Sequence, residues 1–150
     1  MVKSGSTAPA FSLRSGDGST VRLAELKGSK VVLYFYPKDD TSGCTKEACA
    51  FQESSAAIKR RGAVVIGVSA DSGESHAKFA SKYGLSFPLL SDPEKTVLKA
   101  YGVWKEKSMY GRKYMGIERT TFINDESGVI QTVFENVKVP GHVDDVLAAL

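Results

Sequence analysis

The chain has 150 residues, the size of a single domain with room for a substantial core, and its 42% hydrophobic and 25% charged content is ordinary for a globular protein. Twenty Lys and Arg against seventeen Asp and Glu leave a net charge of +3, too mild and too evenly spread to select nucleic acid or an anionic membrane. No apolar run approaches the roughly 18 residues of a spanning helix, and MVKSGSTAPAFSL has neither a signal-peptide core nor an Arg-rich amphipathic segment, so one domain over 1–150 in the cytosol is expected.

In chain order, FSLRSGDGSTVRL reads as a β-hairpin around Ser15-Gly16-Asp17-Gly18. KVVLYFY, Lys30 to Tyr36, is a continuous apolar and aromatic run of the kind that forms a strand buried on both faces. A helix follows, with Ala48, Phe51, Ser55 and Ile58 stepping by three, four and three, and it closes at KRRG. AVVIGVSA is a second buried strand, SGESHAKFASKYG a helix, and FPLL a short strand. Asp92-Pro93 predicts an N-cap and first helical position opening EKTVLKAYG. RTTFIND and GVIQTVFE flank the turn Glu126-Ser127-Gly128 as a second hairpin, and GHVDDVLAAL is a final helix.

The resulting order is ββ, β, α, β, α, β, α, β, β, α. Its β-α-β portion implies parallel crossovers, and its closing β-β-α adds antiparallel strands. A mixed central sheet flanked by helices, with an N-terminal hairpin, is expected, and the thioredoxin-like arrangement is the best match for an α/β chain of this size.

Both cysteines, Cys44 and Cys49, fall in YPKDDTSGCTKEACAF, five positions apart. In a reducing compartment a permanent disulfide is a poor expectation; transient redox use or inert burial remain. Two Cys with only His76 and His142, far apart, lack the paired spacing of a structural zinc site. Cys44 lies just beyond the predicted strand in the first turn of the following helix. There the free N–H groups and the positive end of the helix dipole favour an anion, here a nucleophilic thiolate. Strand carboxyl ends are also where α/β folds place ligands. Pro37 ends the strand and Thr41 offers a hydroxyl three residues before Cys44; taken singly, they read as a turn former and a helix cap before they read as site residues.

Pro37, Thr41 and Cys44 fit the P-x-x-x-T/S-x-x-C pattern of peroxiredoxins. The longer run YPKDDTSGCTKEACAF resembles the peroxiredoxin Q, or bacterioferritin comigratory protein, subfamily. APAFSL, VVLYFYP, VIGVSAD, FPLLSD, YGV and ERTTFIND extend that resemblance in order over almost the whole chain. Ser42 departs from it, standing where members usually carry proline.

The resemblance implies a thiol-dependent peroxidase. Cys44 would attack hydrogen peroxide or an organic hydroperoxide and become a sulfenic acid, with Thr41 positioning the peroxide and Arg119, from ERTTFIND, supporting the charge. Cys49, the only other thiol, would resolve the sulfenic acid as a disulfide, recycled by thioredoxin or a similar dithiol. No bound cofactor or metal is implied. Five helical residues separate Cα atoms by about 8–9 Å, beyond the roughly 7 Å a disulfide tolerates; the helix must therefore unwind locally. The alternative for Cys49 is a small core residue beside Ala48.

No C-terminal extension carries a further cysteine, which favours a monomer. Trp104 and Phe122 read as packing residues and His76 and His142 as helix-surface residues; Glu47 reads as a helix-surface residue too, with a place near the site as its alternative. A thiol–disulfide oxidoreductase on the same fold would carry Cys-x-x-Cys, absent here, and would need neither Thr41 nor Arg119. A redox-sensing binding domain would oxidise without saturable turnover.

Overall fold

A computed structural model of the chain describes residues 2–150. Its centre is β3 (Lys30–Phe35), buried from Val31 onward. Alternate side chains point to opposite faces of a strand, so Val31, Leu33 and Phe35 enter one core while Val32 and Tyr34, with Tyr36 beyond, enter the other. This is why the run shows no polar alternation: neither face meets water.

The other strands assemble around it. β1 (Ser12–Ser15) and β2 (Thr20–Arg22) form the N-terminal hairpin, followed by a 3-10 turn at Leu23–Leu26. β4 (Ala63–Ser69) and β5 (Leu89–Ser91) continue the sheet in parallel, and β8 (Thr120–Asn124) and β9 (Ile130–Phe134) close the other side antiparallel. The order across the seven strands is β2-β1-β5-β4-β3-β8-β9. It is the mixed sheet expected from the sequence.

One core packs against α1 (Ser42–Glu53), α2 (Ser55–Arg60), α3 (Gly73–Tyr83) and α5 (His142–Ala149), through Ala48, Phe51, Ile58, Phe79 and Val146. The opposite core is covered by Phe11, Leu23 and the short helix α4 (Thr96–Ala100), through Leu98 with Tyr101 beyond it. Gly67 in β4 is required for this packing: a Cβ there would stand 2.9 Å from both the Tyr34 ring and Leu89. Among the described residues no helix is long and apolar enough to cross a membrane.

Several sequence expectations are revised. The helix predicted to run without interruption to KRRG breaks at Ser54 into α1 and α2. FPLL is shifted, with the strand at Leu89–Ser91. Asp92-Pro93 does not open a helix: Lys95 has φ 63°, a left-handed geometry that helical backbone cannot pass through, so α4 starts at Thr96. Asp92 instead accepts the Leu98 N–H at 2.8 Å. The sequence reading also leaves Trp104–Ile117 unassigned, where the chain forms a two-stranded antiparallel ribbon, β6 (Trp104–Met109) and β7 (Arg112–Ile117).

Candidate active site

The site is assembled by the register of β3 and β8. These strands run antiparallel with Phe35 opposite Thr120, so the residue preceding β8 emerges where β3 ends. That residue is Arg119. From the same edge the chain leaves β3 through Tyr36 and Pro37 and turns into α1, whose third residue is Cys44. Residues far apart in sequence thus meet at one strand end.

Arg119 Nη2 donates to Cys44 Sγ at 3.3 Å, and Nη1 donates to Glu47 Oε1 at 2.6 Å. Gly43 makes room for this approach, since a Cβ there would stand 3.2 Å from Nη2. Cys44 is 1% exposed and Glu47 is fully buried. The Glu47 carboxyl is pushed up to about 7 by burial, against the pull of the Arg119 charge and hydrogen bond. Burial alone would lower the Arg119 guanidinium, but Glu47 and Cys44 hold it above its ordinary range. Glu47 is therefore not a helix-surface residue. It lies on the inner face of α1 with Cys44, Ala48 and Phe51, and its second oxygen, Oε2, has no partner among the described residues.

Thr41 is the N-cap residue of α1 by backbone geometry, but its side chain does not cap the helix. Its hydroxyl donates instead to the Lys38 carbonyl at 2.9 Å. With its proton committed there, the oxygen keeps only its acceptor capacity for a further partner. The first-turn N–H groups of α1 have no intrahelical acceptor, and no acidic side chain occupies that turn. Ser42 opens the helix without a proline. Cys49 lies further along α1, half-buried, and both cysteines are free thiols.

The loop before α1 is tied to α3. Asp39 accepts from Tyr36 Oη at 2.5 Å, from Ser75 Oγ at 2.8 Å and from His76 Nδ1 at 2.7 Å. His76 Nε2 faces the Leu90 carbonyl at 2.9 Å. Both ring nitrogens are thus engaged inside the fold. Burial on its own would raise the Asp39 carboxyl, but these donors hold it below its ordinary value. Asp40 is held at the surface by Lys82 Nζ at 2.9 Å and Tyr83 Oη at 2.8 Å. Asp39, Asp71 and His76 lie close together; Asp39 and His76 pair with one another, and Asp71 Oδ2 accepts from the Asp39 backbone N–H and from Ser69 Oγ.

His76 and His142 were both expected on helix surfaces, and both are buried. His142 Nε2 lies 2.8 Å from Thr121 Oγ1, with its ring against Phe134 and Phe51. Burial holds its pKa below the usual histidine value, aided by the Arg119 charge and opposed by Asp145. Phe122 is core and Trp104 packs partly against that core, as expected of packing residues.

A model of the AhpC/TSA family matches residues 4–133 of the chain. A putative peroxiredoxin bcp of Coxiella burnetii is 51% identical over 99% of both chains. Peroxiredoxin Bcp of Bacillus subtilis is 46% identical over 99% of this chain and 95% of its own. Among solved structures, the bacterioferritin comigratory protein of Xanthomonas campestris, determined as trapped intermediate and ligand complexes bearing on its alkyl peroxide reduction activity, superposes with a TM-score of 0.89. It is 42% identical, covering 93% of this chain and 88% of that one.

Proposed function

The chain belongs to the AhpC/TSA family as a thiol-dependent peroxidase of the peroxiredoxin Bcp type with a thioredoxin fold, and we propose that Cys44 is its peroxidatic thiol, served by Thr41, Arg119 and Pro37 and resolved by Cys49. The observation that carries this reading is the 3.3 Å contact between the Arg119 guanidinium and Cys44 Sγ inside a nearly closed site.

The chemistry follows from the geometry. The Cys44 thiolate attacks one oxygen of a hydroperoxide; the S–O bond forms as the O–O bond breaks. Cys44 becomes a sulfenic acid, and the other oxygen leaves as water or an alcohol after taking up a proton. Charge moves from sulfur to the departing oxygen along this path, and Arg119 is placed at its start without further reorganisation. Thr41, whose proton is held by Lys38, accepts from the incoming peroxide and fixes its orientation. Pro37 sets the direction in which the loop leaves β3. Alkyl as well as hydrogen peroxides are the substrates on this reading, in keeping with the activity of the Xanthomonas relative.

Cys49 then condenses with the sulfenic acid, releasing water and forming an intramolecular disulfide. Both thiols sit in one unbroken helix, where the Cα separation of about 8–9 Å exceeds disulfide reach, so the first turns of α1 must melt. Thr41, Ser42 and Gly43 are weak helix formers, which keeps that step inexpensive. A thioredoxin-like dithiol takes the disulfide back to two thiols. Because both thiols lie in one chain, the cycle needs no second subunit. We read the protein as a monomeric single domain of the cytoplasm that acts without nucleic acid, membrane or bound cofactor. Peroxide consumption coupled to thioredoxin, thioredoxin reductase and NADPH tests the reading: turnover that saturates with thioredoxin and vanishes in Cys44→Ser is expected. Substantial turnover by Cys44→Ser contradicts it.

A further inference from the structure

The β6–β7 ribbon has one face turned to the core through Trp104 and Ile117 and another carrying Lys105, Lys107 and Met109 opposite Gly116, Tyr114 and Arg112. The second face begins beside the active site, because β7 leads within two residues to Arg119. Lys105 on this face is neutralised by Glu118 at 2.6 Å. Lys107 is not. Its stem lies over Gly116, where a Cβ would stand 3.2 Å from Lys107 Cδ and 3.6 Å from Cε, and among the described residues no carboxylate is within ion-pair distance of its ammonium. The side chain is half-buried. The contact of its stem with Gly116 sets it on the stretch of β7 that leads three residues later to Arg119, and burial and the Arg119 charge hold the ammonium below the ordinary lysine range, opposed by Glu118 and Cys44.

An unpaired, partly desolvated cation beside a second cation costs stability unless something anionic visits it. Hydrogen peroxide brings no such group. Flanking the ammonium on the same face are Tyr114, 44% exposed, and Met109, 56% exposed, which offer apolar surface to an alkyl arm. We propose that Lys107 is a specificity-determining residue whose ammonium receives a carboxylate on the substrate, so that alkyl hydroperoxides bearing an anionic group are preferred over their neutral counterparts. The proposal rests on the reading of Cys44 as the peroxidatic thiol, since only then does the ribbon face border the substrate path.

The test compares kcat/KM for an alkyl hydroperoxide bearing a terminal carboxylate with kcat/KM for its methyl ester. A single partly exposed charge contact predicts a preference of roughly 5- to 10-fold for the carboxylate, shrinking as salt is raised. Lys107→Met keeps the aliphatic packing on Gly116 and should bring the ratio close to one, whereas Lys107→Arg should retain it. Lys113→Met, on the opposite face beside Glu106, should leave the ratio unchanged. A wild-type protein that turns over hydrogen peroxide but shows no preference, or a preference that survives Lys107→Met, overturns this proposal and leaves the role of Cys44 intact. A preference lost equally in Lys113→Met assigns it to overall charge and overturns the role of Lys107. Absence of any peroxide turnover by the wild-type protein overturns both.

Discussion

Arg119 and Cys44, 75 positions apart, are joined by a 3.3 Å contact from guanidinium to sulfur, and the same guanidinium holds buried Glu47 at 2.6 Å. One cation is thus shared between the sulfur proposed to react and an internal carboxyl group. Removing it has two consequences that can be measured separately.

For Arg119→Ala, the rate of peroxide attack should fall by about 30- to 1000-fold, the loss expected for one charge-assisted contact of about 2–4 kcal/mol. The fold should survive with a stability loss of about 1–3 kcal/mol, because Glu47 is left buried without its donor. Adding Glu47→Gln to that variant should restore part of the stability and none of the rate. Stopped-flow reduction and denaturant unfolding of the three proteins check this; a wild-type rate in Arg119→Ala would relegate the residue to packing.

Glu47 also gives stability a pH dependence of defined sign. Its folded value, about 7, lies above the ordinary 4.5, so the native state holds the proton more tightly than the unfolded chain. The associated stabilisation is complete below about pH 4.5 and is lost as pH rises through 7. Relative to Glu47→Gln, the wild-type protein should therefore lose about 1–3 kcal/mol between these limits. Parallel unfolding curves for the two proteins across that window would remove Glu47 as the cause.

Thr41→Val separates a substrate contact from a helix cap. The side chain makes no capping hydrogen bond to α1, so stability should change by less than about 1 kcal/mol. Loss of the accepting oxygen should slow peroxide attack by roughly 10- to 100-fold, and Thr41→Ser should restore most of it. A large stability loss with an unchanged rate is the opposite outcome.

How much of this was legible in the sequence depended on whether the signal was local. β3 announced itself because burial on both faces leaves an uninterrupted apolar run, and α3 because Ser72 and Gly84 mark its two ends. The β6–β7 ribbon gave no such pattern: its exposed face mixes Lys, Arg, Met and Tyr, and only Trp104 and Ile117 reach the core. Glu47 and His76 looked like solvated helix residues because the partners that draw them inward, Arg119 for one and Asp39 with the Leu90 carbonyl for the other, are remote in sequence. Glu47 did carry one local hint. It stands three positions after Cys44 and next to Ala48, on the helix face that must point inward.

His142 predicts sensitivity to acid. Burial holds its folded pKa below 6.5, so its contribution to stability is present above that value and is lost as pH falls through the folded pKa. His142→Gln, which keeps a polar partner for Thr121, should flatten the decline below pH 6.5 seen in thermal unfolding of the wild-type protein. An equally steep decline in the variant would place the acid sensitivity elsewhere.

On the proposed cycle α1 serves two states, helical for attack and unwound for resolution, and peptide mapping of the protein after one equivalent of peroxide tests this most directly. The prediction is a Cys44–Cys49 link within monomers, accompanied by faster amide exchange across Thr41–Phe51. A disulfide-linked dimer, or a sulfenic acid persisting on Cys44 beside a free Cys49 thiol, would contradict it.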